Sequence, residues 1–196
     1  MSAGSRSATK RRDTRETRIS AEVSVDGAGI ASIDLPLPFF RHMIEAFTKY
    51  SGMNVSLVGA GDIEVDAHHL VEDVGLVLGA AVSDALGDRD GIRRFGEAHA
   101  PLDESLVRCV VDYGRRPHVV YGMEQLHGRI NDFDVEILGE FVKGYAQSAG
   151  ATIHVDCIRG ENLHHIAEAA FKALGLASRE AFRVIGGGVP STKGTL

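Results

Sequence analysis

From Glu16 onward polar and apolar residues alternate in "ETRISAEVSVDG", which predicts a strand ending at the turn signal Asp26-Gly27. "IASIDLPLP" follows as a second strand able to pair back on the first. The period then lengthens. In "FFRHMIEAFTKYSG" the residues Phe39, Met43, Ala46, Phe47 and Tyr50 fall at helical spacing, and Gly52 closes the run. "MNVSLVGAGDIEV" returns to a strand. "HHLVEDVGLVLGAAVSDALGD" then sets Val71, Val74, Leu78, Val82 and Leu86 three or four apart, an amphipathic helix.

The same order recurs downstream. "DESLVRCVVDYG" and "RPHVVYGMEQL" read as strands, "DVEILGEFVKGYAQSAG" as a helix, "ATIHVDCIRG" as a strand and "ENLHHIAEAAFKALGLASREAF" as a long closing helix. Both halves carry HHxxE at the start of the last helix, so an internal duplication accounts for the doubled pattern. The expected fold class is α+β, with internally duplicated β-β-α-β-(β)-α halves and helices packed between two mixed sheets. A single domain over residues 13–196 then contains repeats at approximately 13–90 and 91–186, plus a C-terminal tail. Residues 1–12, polar and basic, are expected to be a disordered tail.

Composition narrows the function. At 196 residues with 44% hydrophobic and 24% charged residues, the chain has the make-up of an ordinary globular domain. A net charge of −6 argues against nucleic acid as the main partner. Cys109 and Cys157 lie in apolar runs without a CxxC, as buried thiols of a reducing compartment do. No apolar run has the length of a membrane span, so the cytoplasm is the expected location.

The doubled cluster carries the chemistry. Residues three and four apart share a helix face, so Glu72 lies beside both His68 and His69, and Glu168 beside His164 and His165. Adjacent histidines diverge by about 100° around the axis, so one helix can feed two different metal ions. Imidazoles with carboxylates and no thiolate suit Mn2+, Fe2+ or Zn2+ and disfavour a structural zinc knot. Asp62, Asp66 and Asp73 add negative charge nearby. His42 and Glu140 sit on the matching earlier helices and are candidates to complete each shell. His154, in a strand, is a candidate interior or supporting group, and His99, His118 and His127 are expected at the surface.

Basic residues cluster in "GIRRFG", "YGRRPH" and the terminal "GGGVPSTKG". Arg94 and Arg116 offer bidentate forks, and Ser191, Thr192 and Lys193 with their glycines offer the donors a phosphate needs. Beside a metal site, these point to a small phosphorylated substrate.

With those motifs in place, the chain closely resembles the imidazoleglycerol-phosphate dehydratase family from Arg11 to the C-terminus. The likeness runs through "RETRISAEVSVDG", "PFFRHM", "DAHHLVEDVGLVLGAAVSDALGDRDGIRRFG", "PLDESL", "GRRP", "GENLHHIAEAAFKALGLA" and "PSTKG". The resemblance implies a carbon–oxygen lyase of L-histidine biosynthesis that dehydrates D-erythro-imidazole-glycerol phosphate to imidazole-acetol phosphate. It implies two Mn2+ per subunit, held by His42, His68, His69, Glu72, Glu140, His164, His165 and Glu168. It implies proton transfer at Glu16, with Glu72 and Glu168 at the reaction centre and Asp103 close by. Arg94, Arg116, Ser191 and Lys193 match phosphate-binding positions, and the assembly implied is a homo-oligomeric shell of 24 subunits. No nucleic acid or membrane partner is expected. Departures from the family pattern fall at Glu140, where histidine is usual, and at Arg41, Ala46, Tyr50 and Ala67. The competing reading is a metal-binding relative with weakened or lost catalysis, kept for a structural or regulatory role.

Overall fold

The computed structural model describes residues 6–189 and 191–195. The first half runs β1 (Ser7–Asp13), β2 (Thr17–Ser24), β3 (Ala31–Asp34), α1 (Pro38–Ser51), β4 (Asn54–Gly61) and α2 (His68–Leu86). The second runs β5 (Phe95–Leu102), β6 (Ser105–Asp112), β7 (His118–Gly122), a small hairpin of β8 (Arg129–Ile130) and β9 (Phe133–Asp134), α3 (Leu138–Ala149), β10 (Thr152–Arg159) and α4 (Leu163–Phe182). The sheets are ordered β1-β2-β4-β3 and β5-β6-β10-β7. In each, only the last pair, β3 with β4 and β7 with β10, is parallel.

Alternation does what the pattern predicts. Ile19, Ala21 and Val23 of β2, and Val107, Cys109 and Val111 of β6, face inward onto the helices. The four helices lie between the two sheets and share one continuous apolar core. The duplicated α+β architecture of the sequence reading is therefore present. Helix α1 turns a slightly different face to the core than its spacing suggested: Phe40, Met43, Ile44 and Phe47 are fully buried, while Tyr50 is 37% exposed.

Helix pairing is close because glycines permit it. A Cβ at Gly79 of α2 would stand 2.4 Å from the Tyr145 carbonyl of α3, and one at Gly175 of α4 would stand 2.8 Å from the Phe47 carbonyl of α1. Each half's last helix thus lies against the other half's first helix, and both pairs run parallel. This crossing positions the site.

Three expectations are corrected. Residues 7–12 are not a disordered tail but most of strand β1, paired with β2 from Ser7↔Ser24 to Asp13↔Arg18. As an edge strand it needs no apolar stripe; its inner side is tied down by Lys10–Asp84 at 2.6 Å and Arg12–Asp73 at 2.8 Å. Only residues 1–5 of that expected tail lie outside the described residues. "IASIDLPLP" does not pair back on the first strand, because β2 already has β1 and β4 on its two sides. It lies parallel to β4 instead. Finally, the additional strand of each half stands first, as β1 and β5, so each half reads β-β-β-α-β-α, with the β8–β9 hairpin inserted before α3 in the second. Among the described residues no helix is long and apolar enough to cross a membrane. Cys109 and Cys157 are both free and buried.

Candidate metal centre and anion pocket

Helix α4 begins where the Asn162 side chain accepts hydrogen bonds from the amides of His164 and His165. That cap fixes HHxxE in the first turns, with His164 and Glu168 on one face. Across the parallel pairing, α1 starts at Pro38, whose fixed φ suits a first helical position, and brings His42 over the same spot. The His42 Nε2 lies 3.3 Å, and the His164 Nε2 3.1 Å, from Glu168 Oε2. One donor atom from each of the three lies within 4.8 Å of the others. Around a divalent ion with bonds of about 2.0–2.2 Å, donors stand roughly 3–4.3 Å apart, so a small closure of these side chains completes three corners of a coordination shell. The three residues fit a divalent metal. Among the described residues no other group of histidines, cysteines and carboxylates gathers so tightly.

Lys172, one turn further on, holds the other Glu168 oxygen at 2.9 Å. Burial alone would raise the Glu168 pKa, but Lys172 and then His42 outweigh it and keep the carboxyl below its ordinary range.

The second histidine of each pair diverges, as the helical geometry requires, and each has its Nδ1 held by a carboxylate. His69 Nδ1 lies 3.2 Å from both oxygens of Asp62, and His165 Nδ1 lies 2.7 Å from Glu104 Oε2. With Nδ1 so held, Nε2 is the nitrogen left to offer a ligand, the arrangement in which an imidazole serves a metal while a carboxylate fixes its tautomer. Both imidazoles are pushed to higher pKa, His69 chiefly by Asp62 and His165 chiefly by Glu104. Glu104 is pulled well below the carboxylate range, first by His165.

The other expected residues take varied places. Glu16 is largely exposed, its Oε2 4.0 Å from His69 Nδ1. Asp103 sits in the β5–β6 turn with its Oδ2 3.9 Å from His165 Nε2. His68 Nε2 and Glu72 Oε2 are 3.9 Å apart. Glu140 pairs with Lys143 at 2.8 Å and is not in the tight group. Asp73 is buried against Thr17 and Arg12, a structural partner rather than part of a cation-attracting field. His99, His118, His127 and His154 are exposed. Arg41, at the position before His42, lies 4.0 Å from Glu45.

A cavity of about 570 Å³ is lined by Arg94, Arg115, Arg116, Ser191, Thr192 and Lys193, among others. The four expected phosphate-binding residues therefore share one pocket. Arg94 is not an open fork, however: its Nε and Nη2 donate to Asp112 at 2.6 and 2.9 Å, and the guanidinium lies over the Phe95 ring. Arg115, which the sequence reading passed over, projects from a left-handed backbone (φ 63°) and donates to the Gly87 carbonyl at the end of α2. Glu104 and Lys172 were also missed, although Glu104 stands immediately before β6 as Glu16 stands immediately before β2.

Pocket and histidines occupy opposite ends of the chain's fold. The pocket lies at the C-terminal ends of α2 and α4, where Arg115 meets Gly87 and the Arg94 amide meets the Ala181 carbonyl. Both HHxxE clusters lie at the N-terminal ends of these same helices, and at about 1.5 Å per residue the 19-residue α2 separates them by roughly 28 Å.

Comparison with known proteins agrees with the motif resemblance. The family model described as imidazoleglycerol-phosphate dehydratase matches residues 36–178. The chain is 46% identical over 188 residues to the imidazoleglycerol-phosphate dehydratase of Thioalkalivibrio sulfidiphilus, covering 94% of this chain and 95% of that one. It is 46% identical over 185 residues to that of a Hydrogenobaculum species, covering 94% and 96%. Among solved structures it is similar to the Pyrococcus furiosus enzyme in complex with (S)-C348, with TM-score 0.78 and 38% identity over 95% of this chain and 99% of that one. The Staphylococcus aureus enzyme gives TM-score 0.80 and 30% identity over 91% and 99%.

Proposed function

The chain belongs to the imidazoleglycerol-phosphate dehydratase family, a family of hydro-lyases, and on that premise we propose the reaction it runs and the residues that run it. The substrate is D-erythro-imidazole-glycerol phosphate, and the products are imidazole-acetol phosphate and water, a step of L-histidine biosynthesis in the cytoplasm. Two divalent ions per subunit, Mn2+ by family resemblance, are held by His42, His68, His69, Glu72, Glu140, His164, His165 and Glu168. The observation that carries this reading is the meeting of His42, His164 and Glu168, drawn from both duplicated halves, within 4.8 Å.

An ion held there would supply Lewis acidity at an imidazole nitrogen, stabilising the ring in its deprotonated form, from which its electrons can help expel the hydroxyl on the adjoining carbon. The remaining work belongs to the chain. Glu16 is exposed beside His69 and is free to take the proton from the second carbon of the side chain as the hydroxyl on the ring-bearing carbon leaves as water. The enol so formed tautomerises to the ketone, and such proton transfer contributes typically ~10²–10⁴-fold. Arg94, Arg116, Ser191 and Lys193 line the pocket that takes the phosphate, Arg94 with its guanidinium braced by Asp112. Fixing the far end of the substrate keeps the reacting carbon against the ions and the carboxylate.

A single subunit does not suffice. The phosphate pocket lies roughly 28 Å from the chain's own histidine corners by the length of α2, and a glycerol phosphate bearing one imidazole ring is far shorter. The pocket of one copy therefore serves the corner of another, and the Nε2 atoms of His69 and His165 complete shells across such contacts. This favours a homo-oligomer, for which the family resemblance implies 24 subunits.

The test is to strip the assembled protein of metal, restore Mn2+ and measure formation of imidazole-acetol phosphate. Activity should vanish and return with the ion. A correctly assembled protein that turns over no substrate with any divalent metal would refute the assignment.

A further inference from the structure

We infer that the two metal positions of this chain are chemically unequal: the one at His42, His164 and Glu168 is the tight position for nitrogen-seeking ions such as Zn2+. Its counterpart at Glu140, His68 and Glu72 is a weaker, oxygen-rich position suited to hard ions such as Mn2+. This rests on the proposed two-ion site and adds an order of filling and a selectivity to it.

The argument comes from the internal duplication. His42 and Glu140 hold one place in the two halves, each ten residues before the left-handed glycine that closes its helix (52 − 42 and 150 − 140). The helix pairs also superpose contact for contact. A Cβ at Gly175 would meet the Phe47 carbonyl and Ser51 amide at 2.8 and 2.9 Å; one at Gly79 would meet the Tyr145 carbonyl and Ala149 amide at 2.4 and 2.9 Å. Each pair of partners is related by the same step of 98 residues (145 − 47 and 149 − 51), and the glycines by the 96 that relates the HHxxE motifs (175 − 79 and 164 − 68). Glu140 of α3 is thus placed toward His68 and Glu72 of α2 as His42 of α1 is toward His164 and Glu168 of α4.

The donors differ. The first position has two imidazoles and one carboxylate, the second one imidazole and two carboxylates. Imidazole favours Zn2+, Co2+ and Ni2+, whereas carboxylate favours Mn2+ and Mg2+. The neighbouring ammonium groups have also changed places. In the first position Lys172 holds the Glu168 oxygen that faces away from the histidines, leaving the other oxygen between the two rings. The residue corresponding to Lys172 in α2 is Leu76 (172 − 96), which holds nothing. In the second position Lys143 grips Glu140 itself at 2.8 Å, while the residue corresponding to Lys143 in α1 is Glu45 (143 − 98). In the first position the oxygen left free of its lysine already stands between two imidazoles. In the second, Lys143 on Oε1 is the contact Glu140 makes, so its ammonium competes with an ion for that carboxylate. The geometry agrees, since only the first trio stands gathered within 4.8 Å among the described residues.

The test uses the assembled, metal-stripped full chain. One equivalent of Zn2+ per subunit is added, then excess Mn2+, and anomalous scattering at each metal's edge locates the ions in crystals. Zn2+ is expected at His42–His164–Glu168 with at least about tenfold higher occupancy than at the other position, and Mn2+ at Glu140–His68–Glu72. In solution, Mn2+ binding followed by electron paramagnetic resonance should resolve two classes of site in the native chain. Glu140→His should merge them into one. Lys143→Gln, a surface change, should tighten only the weaker class. Equal Zn2+ occupancy at both positions of the native protein overturns this inference while leaving the two-ion reading standing. Absence of ions from both positions after saturation overturns both.

Discussion

Glu16 and Glu104 occupy the same place in the two halves, each the residue before the half's long second strand, but their surroundings have diverged. Glu104 is fully engaged: one oxygen accepts from the Ser105 hydroxyl and the amides of Glu161 and Asn162, and the other faces His165 Nδ1 at 2.7 Å. In the first half the task of holding the second histidine falls to Asp62, the residue after β4. The residue after β10 is Gly160, where a Cβ would stand 2.5 Å from Ile166 and 2.6 Å from the Ser105 hydroxyl. No side chain fits there, so Glu104 must orient His165. With Asp62 in that role, Glu16 is released. A duplicated scaffold thus carries one glutamate engaged in orienting a histidine and one left exposed, the one to which proton transfer is assigned above as a proposal.

The largest predicted effect tests that division directly. Glu16→Gln should lower kcat by about 10²–10⁴-fold while leaving fold and metal content intact. Glu104→Gln should act instead through His165, lowering metal affinity by about 10–100-fold, as loss of a carboxylate behind a ligating histidine does. Steady-state kinetics beside metal analysis separates the two outcomes. Equal kinetic and metal phenotypes in the two variants would abolish the distinction between the halves.

A second contrast lies just past the long helices. Arg89 follows the end of α2 by three residues, as Ile185 follows the end of α4 (89 − 86 and 185 − 182). Arg89 is 1% exposed and donates to the carbonyls of Tyr113, Ala149 and Gly150 and to the Ser83 hydroxyl. It thereby caps α3 and anchors the strand end from which Gly114, Arg115 and Arg116 enter the anion pocket. Burial lowers its pKa, but guanidinium keeps its charge. Ile185 is 60% exposed. Arg89→Met, which leaves buried carbonyls without donors, should cost about 3 kcal/mol, measured by denaturant unfolding of the assembled protein. Ile185→Ala should fall within about 0.5 kcal/mol. Arg89→Met should also weaken phosphate binding, because the loop it anchors lines that pocket.

The differing legibility of these features has a physical basis. The four helices and strands β2, β4, β6 and β10 announce themselves because each buries a regular apolar stripe. Strand β5 does not: its inward positions are Gly96, Ala98 and Ala100, kept small because α4 lies so close that a Cβ at Gly96 would overlap the Ala177 carbonyl. Strand β1 turns ion-paired side chains inward and so reads as a polar tail. The site divides in the same way. HHxxE is legible because three- and four-residue spacing makes a helix face by itself. The support of His69 by Asp62, seven residues away in sequence, and of His165 by Glu104, sixty-one away, depends on strand ends meeting helix starts. Arg94 looked like an open fork for the same reason, since its partner Asp112 lies on the neighbouring strand.

The smallest effect concerns the arginines that open each half. Arg6 immediately precedes β1 and Arg94 immediately precedes β5, and both make two contacts with one carboxylate, Asp26 and Asp112 respectively. The settings differ, with side-chain exposures of 20% and 51% for the first pair and 10% and 18% for the second. Replacing a carboxylate in a largely desolvated, charge-assisted pair costs about 1.5–3 kcal/mol, so Asp112→Asn should fall in that range. For Asp26→Asn the exposed setting and screening by water leave about 0.2–1 kcal/mol. The Arg6 hydrogen bond lowers the Asp26 pKa in the folded chain. Its contribution is therefore complete above the unfolded carboxyl value, about 3.9, and disappears as pH falls through the lower folded value. The stability gap between the native chain and Asp26→Asn should close with acidification below that unfolded value and shrink in high salt. A gap that persisted in acid would mean that Arg6 is held by the Phe182 carbonyl, its other partner, rather than by charge.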